Sequence, residues 1–442
     1  MNGLPSGWAE TQLGSLIERV EAGLNVKCEE RPPQGKERGL VKISAVTWGR
    51  FNEEQSKTLP ADIAVSANAQ IQTGDLLFSR ANTIELVGAT VLVEEIEKRL
   101  YLSDKVLRLV VPAESKRWIN YAMKTAVVRK AIQDASSGNQ LSMRNISQEK
   151  LRQIPIPLAP LPEQKRIADK LDSVLARVDA CRDRLDHLPA LLKRFRQSIL
   201  AAATSGRLTE DWRQINNCET GKIDKLGQMG EVIAGQSPSV SEVNLLGKGV
   251  PYVTGPEQWD GKKILAHKWT EFPKRIAPDN SIFVTVKGAG VGKTFPGCYS
   301  AIGRDVYAFV PNNGHDKNYV LYAIQASAEA VVTKAKGLIP GLTKSDIADH
   351  PAYIPSSPEQ AEIVRRVELL FAFADRLEAR LATARRQVGQ LTPALLAKAF
   401  RGELVPQDPA DEPAAELLKR LAAQRAAAPA GKRSRAGVPG AR

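Results

Sequence analysis

Three groups of residues in this 442-residue chain have the types and spacing from which a reactive site could be built. The first is Lys287-Gly288-Ala289-Gly290-Val291-Gly292-Lys293-Thr294, which looks like a phosphate-binding loop. Such a loop needs a glycine five residues before the Gly-Lys-Thr triplet, so that backbone N–H groups can close around phosphate oxygens. Lys287 stands there instead, and no parallel α/β pattern surrounds it, so the run reads as a basic glycine loop. The second is Glu163-Gln164-Lys165, an acid–x–lysine spacing that nuclease sites use; here it opens a helix-like segment and lacks an acidic partner on a preceding strand. The third is the set of metal-ligating types. Cys28, Cys181, Cys218 and Cys298 lie far apart, as do the four histidines, whereas a metal requires close sets of ligands. No Asn-Pro-Pro-Tyr-type methylation motif or cofactor glycine motif is found. The chain therefore reads as noncatalytic by itself, with no metal or cofactor of its own.

What remains is a set of polar and cationic residues on loops. Arg80 and Asn82 follow an apolar run; arginine and asparagine are the types that pair with guanine and adenine through two hydrogen bonds in the major groove. Gly138-Asn139-Gln140 and Arg144 form a polar stretch before a short helical turn. In the second half, Lys262, Lys263, Lys287 and Lys293 flank glycines, and Lys334, Lys336 and Lys344 follow. Lysines suit phosphates better than base edges. The chain carries 62 Lys and Arg against 49 Asp and Glu, a net +13 that favours a polyanionic partner. Part of that excess lies in the C-terminal tail, so charge only supports the inference.

The length suits two or three domains. With 43% hydrophobic and only 5% aromatic residues, the cores must rest on Leu, Val, Ile and Ala. No apolar run reaches the roughly 18–20 residues that span a bilayer. The opening Met-Asn-Gly-Leu-Pro has no basic and apolar leader, so a soluble, cytoplasmic protein is expected.

The elements that must position these residues emerge from an internal repeat. Leu161-Pro162-Glu163-Gln164 returns as Ser357-Pro358-Glu359-Gln360, 196 residues on, and the register holds without a gap to Gly206-x-Leu208 and Gly402-x-Leu404. Ile167, Leu171, Val178, Leu185, Leu188 and Leu192 recur at helical spacing. So do Ile363, Val367, Phe371, Leu381, Leu391 and Leu395. Pro162 and Pro358 suit a first helical turn, Glu163 and Glu359 the positive end of its dipole, and Gly206 and Gly402 the stop. Pro189 and Pro393 are expected to kink or break the helices. The simplest way to bury both stripes is against each other, as an antiparallel coiled coil with internal pseudo-twofold symmetry. That pairing would put the preceding domains at opposite ends of a rod.

The segments before each helix are strand-rich and far less alike, although their ends match at the same offset: Ile146 to Leu151 with Leu342 to Ile347, and Pro155 with Pro351. The expected fold is α+β. One strand-rich domain spans 1–160, with its spacer helix at 161–208; a linker follows at 209–222. The second domain spans 223–356, with its helix at 357–404 and an Ala/Pro-rich basic tail at 405–442. Residues 413–427 form a short helix in this reading and the remainder of the tail is disordered.

This arrangement resembles the specificity subunits of type I restriction–modification systems. The resemblance rests on Leu161-Pro162-Glu163-Gln164-Lys165-Arg166-Ile167 and Ser357-Pro358-Glu359-Gln360-Ala361-Glu362-Ile363, and on Leu4-Pro5-Ser6-Gly7-Trp8 at the start. The second copy departs at Ser357 and Ala361-Glu362. The resemblance covers about residues 4–405. It implies two target-recognition domains, each reading one half of an interrupted DNA target. It also implies two methyltransferase subunits, carrying S-adenosylmethionine, on the helical region. Restriction (translocase–nuclease) subunits that use ATP and Mg would then join. Helices of about 25–40 residues span roughly 40–60 Å, enough to set two readers a turn of DNA, about 34–36 Å, or more apart. Two rivals remain: a noncatalytic coiled-coil scaffold without DNA recognition, and a self-sufficient DNA-modifying enzyme.

Overall fold

The computed structural model describes residues 3–140, 143–334 and 341–427. The chain divides into two compact units, Met1–Asp183 with Arg385–Arg442 and Arg184–Ala384. The helices, in chain order, are α1 (Lys116–Ala122), α2 (Ala126–Ala135), α3 (Gln148–Arg152), α4 (Leu161–Ala203), α5 (Glu210–Asn216), α6 (Lys317–Lys334), α7 (Lys344–Ala348), α8 (Ser357–Ala399) and α9 (Ala414–Ala427).

In the first unit a four-stranded antiparallel sheet has the order Arg19–Glu21, Val106–Val110, Leu76–Ser79, Thr90–Leu92. One of its two central strands, Leu-Leu-Phe-Ser, is buried throughout, because both faces are covered. Successive side chains alternate across a strand. Leu76 and Phe78 therefore join the core with Trp118 of α1 and Ile132 of α2, and Leu77 joins a second core with Val41, Val91 and Leu100. That second core belongs to a smaller sheet in which Arg38–Val41 and Arg99–Tyr101 run parallel. Ala9–Gln12 pairs with Pro155–Leu158, tying the start of the chain to the strand that leads into α4.

The second unit repeats this plan. Its four-stranded sheet has the same order, Gly230–Ala234, Val306–Pro311, Ile282–Thr285, Thr294–Pro296. Ile282 and Val284 face a core with Tyr319 of α6, while Phe283 faces another with Val253 and Phe295. A parallel pair recurs, Val250–Val253 with Ser300–Ile302, and Lys222–Lys225 pairs with Pro351–Ile354 ahead of α8. The hydroxyls of Ser147 and Thr343 cap α3 and α7 at positions 196 residues apart.

The helices α4 and α8 are each 43 residues long. In the first unit Ile167 and Leu171 of α4 share a core with Leu396 and Ala399 of α8. In the second, Ile199 and Ala203 of α4 share one with Ile363 and Val367 of α8. The start of each helix thus lies beside the end of the other, so they are antiparallel. Ile167, Leu171, Val178, Leu192, Ile363, Val367 and Leu381 are buried. Leu185, Phe371 and Leu395 are half-buried, with Leu396 taking the deeper place beside Leu395, and Leu188 and Leu391 are exposed. In the second unit Arg196 of α4 reaches Asp375 (2.7 Å) and Glu378 (3.1 Å) of α8. Each helix runs through its internal proline without a break. Both prolines are exposed, so water can reach the carbonyl that each leaves without its N–H partner, and packed turns on either side hold the helix.

The repeated Pro-Glu-Gln places two polar side chains in each core, and their contacts lock the helix starts. Gln164 and Gln360 donate back to the carbonyls of Ala159 (2.8 Å) and Pro355 (3.0 Å). Glu359 is fully buried and accepts from Thr209 (2.7 Å), Tyr353 (3.2 Å) and the guanidinium of Arg213. Glu163 accepts from Trp8 Nε1 (2.9 Å). Nearby ion pairs do the same work: Arg366 to Asp211 and Arg166 to Asp411, each at 2.6 Å. The partners Thr209, Asp211, Arg213 and Asp411 follow the end of the opposite helix. The segment read as a linker, 209–222, therefore contains α5 and half of this clasp. The short helix expected at 413–427 is α9, Ala414–Ala427, and its Leu417 is buried in the first unit's core.

Candidate nucleic-acid interface

In the first unit the strand Leu76–Ser79 continues through Arg80 into Ala81–Asn82. There it meets the segment between α2 and α3. Met143–Asn145 pairs antiparallel with Ala81–Asn82, Arg144 opposite Asn82, and Ser137–Gln140 pairs with Met143–Asn145. Four residues chosen from the sequence, Asn82, Asn139, Gln140 and Arg144, are thereby brought onto one three-stranded sheet. Gly138 is required inside the strand Ser137–Gln140, where the register shifts: its φ is +150°, and a Cβ there would stand 2.4 Å from the Met143 carbonyl oxygen.

The side chains divide by what they already bind. Arg144 donates to Ser136 Oγ (3.2 Å) and to the carbonyls of Ser136 (2.8 Å) and Gly138 (2.9 Å), so it braces the hairpin. The Asn82 amide donates to Thr47 Oγ1 (3.2 Å), and its oxygen accepts from the Thr83 N–H (2.9 Å). Both ends of that amide are thus used within the chain, unlike a free adenine-reading pair. Arg80 is fixed by its backbone, with its N–H on Lys105 O (2.9 Å) and its carbonyl accepting from Ile146 N–H (3.0 Å). Among the described residues its guanidinium has no hydrogen bond or ion pair, and it is half-exposed.

The second unit builds the same junction from different residues. Ile282–Thr285 continues through Val286, whose carbonyl accepts from Leu342 N–H (2.9 Å), and Lys287 bridges to Gly341. Val286 and Leu342 hold the places of Arg80 and Ile146. The glycine run turns at Gly288–Gly290 and returns as the antiparallel strand Thr294–Pro296. A phosphate loop joins a strand to a helix; this run joins two antiparallel strands, which fits the sequence argument against nucleotide binding. Lys287 and Lys293 are exposed on it. A Cβ on Gly290 would lie 2.8 Å from Pro256 Cγ, so the segment leading to Lys262 and Lys263 packs beside the loop. Those two exposed lysines sit on a turn whose backbone N–H groups both donate to Asp260 Oδ1 at 2.8 Å. The bonds, led by that of Lys263, hold the Asp260 carboxyl below its usual range. Lys344 is exposed on the first turn of α7, Lys334 ends α6, and Lys336 lies outside the described residues.

The sequence thus identified the segments of each junction but not which side chains are engaged, because hydrogen bonds to residues such as Thr47 and Ser136 leave no periodic trace. It also missed the buried glutamate clasp. Its signal was present in the duplicated Pro-Glu-Gln, whose acid was read only as a partner for the helix dipole. The four cysteines are free, and among the described residues no group of three or more His, Cys, Asp or Glu could hold a metal. No described helix is long and apolar enough to cross a membrane.

Comparison with known proteins agrees with this duplicated plan. A model of the type I restriction modification DNA specificity domain matches residues 5–189 and 219–384. The specificity subunit of the type I restriction enzyme EcoKI from Escherichia coli K12 is 31% identical over 348 residues, covering 72% of this chain and 74% of that protein. The StySPI specificity subunit from Salmonella potsdam is 30% identical over 481 aligned positions, covering 98% of each. Among solved structures, a chain from work on complex assembly and conformational transition of the type I R-M system gives a TM-score of 0.70 at 21% identity, covering 91% of this chain and 100% of that one. The HsdS subunit from Thermoanaerobacter tengcongensis gives 0.59 at 22%, covering 90% and 98%. These two likenesses concern the fold. With two domain matches spanning most of its length, the chain belongs to the specificity subunits of type I restriction–modification systems, the noncatalytic DNA-recognition component of those complexes.

Proposed function

We propose that each unit reads one half of an interrupted DNA target through its junction, and that α4 and α8 carry the docking faces for two methyltransferase subunits. The observation that carries this reading is the same backbone junction in both units, bearing Arg80 and a polar hairpin in one and a lysine–glycine loop in the other. One frame with two surfaces suits two different half-sites. In this reading Arg80 reads a base edge, while Lys262, Lys263, Lys287, Lys293, Lys334, Lys336 and Lys344 position phosphates. Asn82 and Arg144 hold the first junction in shape, with Asn139 and Gln140 on its outer strand. S-adenosylmethionine is held by the methyltransferase subunits, and ATP and Mg by restriction subunits that join them, all in the cytoplasm.

The test is a domain exchange. Residues 222–356 are replaced by those of a relative with a different target, and methylated sites are mapped in cells. One half of a two-part, nonpalindromic motif should change while the other half stays. A change in both halves, or a continuous palindrome as the native target, overturns the reading. So does methylation or cleavage of DNA by the purified chain alone.

A further inference from the structure

The first unit carries a surface groove of about 460 Å³ that the reading of DNA does not use. Trp48 stands over it, 75% exposed, on the loop that follows Thr47. Phe51 and Ile96 form its apolar floor, both anchored in the core around Val41 and Leu100. Glu53, Glu95 and Glu97 line it, and among the described residues the carboxylates of Glu95 and Glu97 have no partner. Glu53 accepts the N–H groups of Glu97 (2.9 Å) and Lys98 (3.0 Å), which fixes the wall in place. Arg50, the cation in the lining, is occupied by Asp179 of α4 at 2.9 Å.

An indole this exposed on a fixed loop is a common anchor of protein interfaces. The acids around it decide what class of molecule it meets. DNA phosphates would be repelled here, in a chain that is otherwise strongly basic. A guanidinium or ammonium would find carboxylates at the rim and an aromatic face above it. Among the described residues the second unit has no counterpart of this acidic wall. The connection 93–98 that supplies Glu95 and Glu97 corresponds there to Gly297-Cys298-Tyr299, only three residues and without an acid.

We infer that the Trp48 groove is a docking site, unique to the first unit, for a segment of one methyltransferase subunit that carries Arg or Lys beside an apolar side chain. The inference rests on the proposed docking of two methyltransferase subunits, and the groove's link to α4 through Arg50 and Asp179 places it next to that surface. The two subunits are then held unequally, one by its helical face alone and one by that face plus the groove.

Full-length chain is titrated with its methyltransferase subunit, and the stoichiometry is read by analytical ultracentrifugation. Trp48→Ala and the double variant Glu95→Lys/Glu97→Lys should each weaken one of the two binding steps about 30-fold, as for an interface anchor, and leave the other unchanged. Trp48→Phe should recover most of the loss, and DNA binding by the free chain should not fall. All these side chains are exposed, so thermal melting should match that of the unaltered chain. Two unaltered binding steps in both variants overturn the groove proposal. So does loss of DNA affinity in Trp48→Ala with assembly intact, which would make the indole a DNA contact. An unaltered chain that takes up no methyltransferase overturns the docking reading itself and the groove with it.

Discussion

Replacing Arg213 by alanine removes the only cation, among the described residues, that touches the buried carboxylate of Glu359. The Arg213 side chain is 11% exposed and that of Glu359 0%, so water replaces little of what is lost. Breaking such a pair from one side costs about 3–5 kcal/mol, because the remaining charge stays buried. Thr209 and Tyr353 still donate to it, which favours the lower end, while the loss of Arg213 to the Gly206 carbonyl (2.7 Å) adds about 1 kcal/mol. The expected total is about 3–4 kcal/mol in the second unit. With a urea dependence of about 3 kcal/mol per molar, its unfolding midpoint falls by about 1 M. Hydrogen exchange resolved by peptides should localise the loss to the first turns of α8 and to α5. The decisive comparison is Glu359→Gln made in both backgrounds. In the Arg213→Ala chain it removes an unpaired buried charge and should restore much of the loss; in the native chain it should destabilise. If Arg213→Ala leaves the midpoint within about 0.2 M, or if the two changes add without coupling, the clasp does not hold the helix start as argued.

Other perturbations separate bracing from reading. Arg144→Ala should speed exchange in the paired strands Ser137–Gln140 and Met143–Asn145 and weaken DNA binding at one half-site, whereas Arg80→Ala should cost about 1–3 kcal/mol at that half-site with exchange unaltered. Equal exchange in both variants would refute the division. Lys262→Ala with Lys263→Ala should weaken binding to all sequences and reduce the slope of log affinity against log salt by about 0.9 for each phosphate no longer neutralised; a sequence-dependent weakening at constant slope argues for base reading. Burial, opposed by Trp8, Arg166 and Gln407, lifts the Glu163 carboxyl above its ordinary value near 4.5. The folded state therefore binds this proton more tightly than the unfolded chain. Its stabilising effect is complete below about pH 4.5 and is lost as pH rises through the lifted value. Glu163→Gln keeps an acceptor for Trp8 and should flatten that dependence in thermal melts between about pH 4 and pH 7; parallel curves for the two chains would refute it.

The sequence alone determined the plan of this protein. Repetition of Pro-Glu-Gln and of an apolar stripe 196 residues apart is a one-dimensional signal, and helical spacing is local, so two like helices and two strand-rich partners could be read directly. The apolar run before Arg80 likewise marked a strand without reference to distant residues. Tertiary structure decided what individual side chains do. Glu359 became a buried acceptor only because Thr209 and Arg213, about 150 residues earlier in the chain, fold against it. Arg144 and Asn82 became braces because Ser136 and Thr47 stand within hydrogen-bond reach. The glycine run became the turn of a hairpin because Thr294–Pro296 returns beside Ile282–Thr285. Periodicity records which face of an element is apolar; it holds no record of the polar partner that a distant segment brings to the other face.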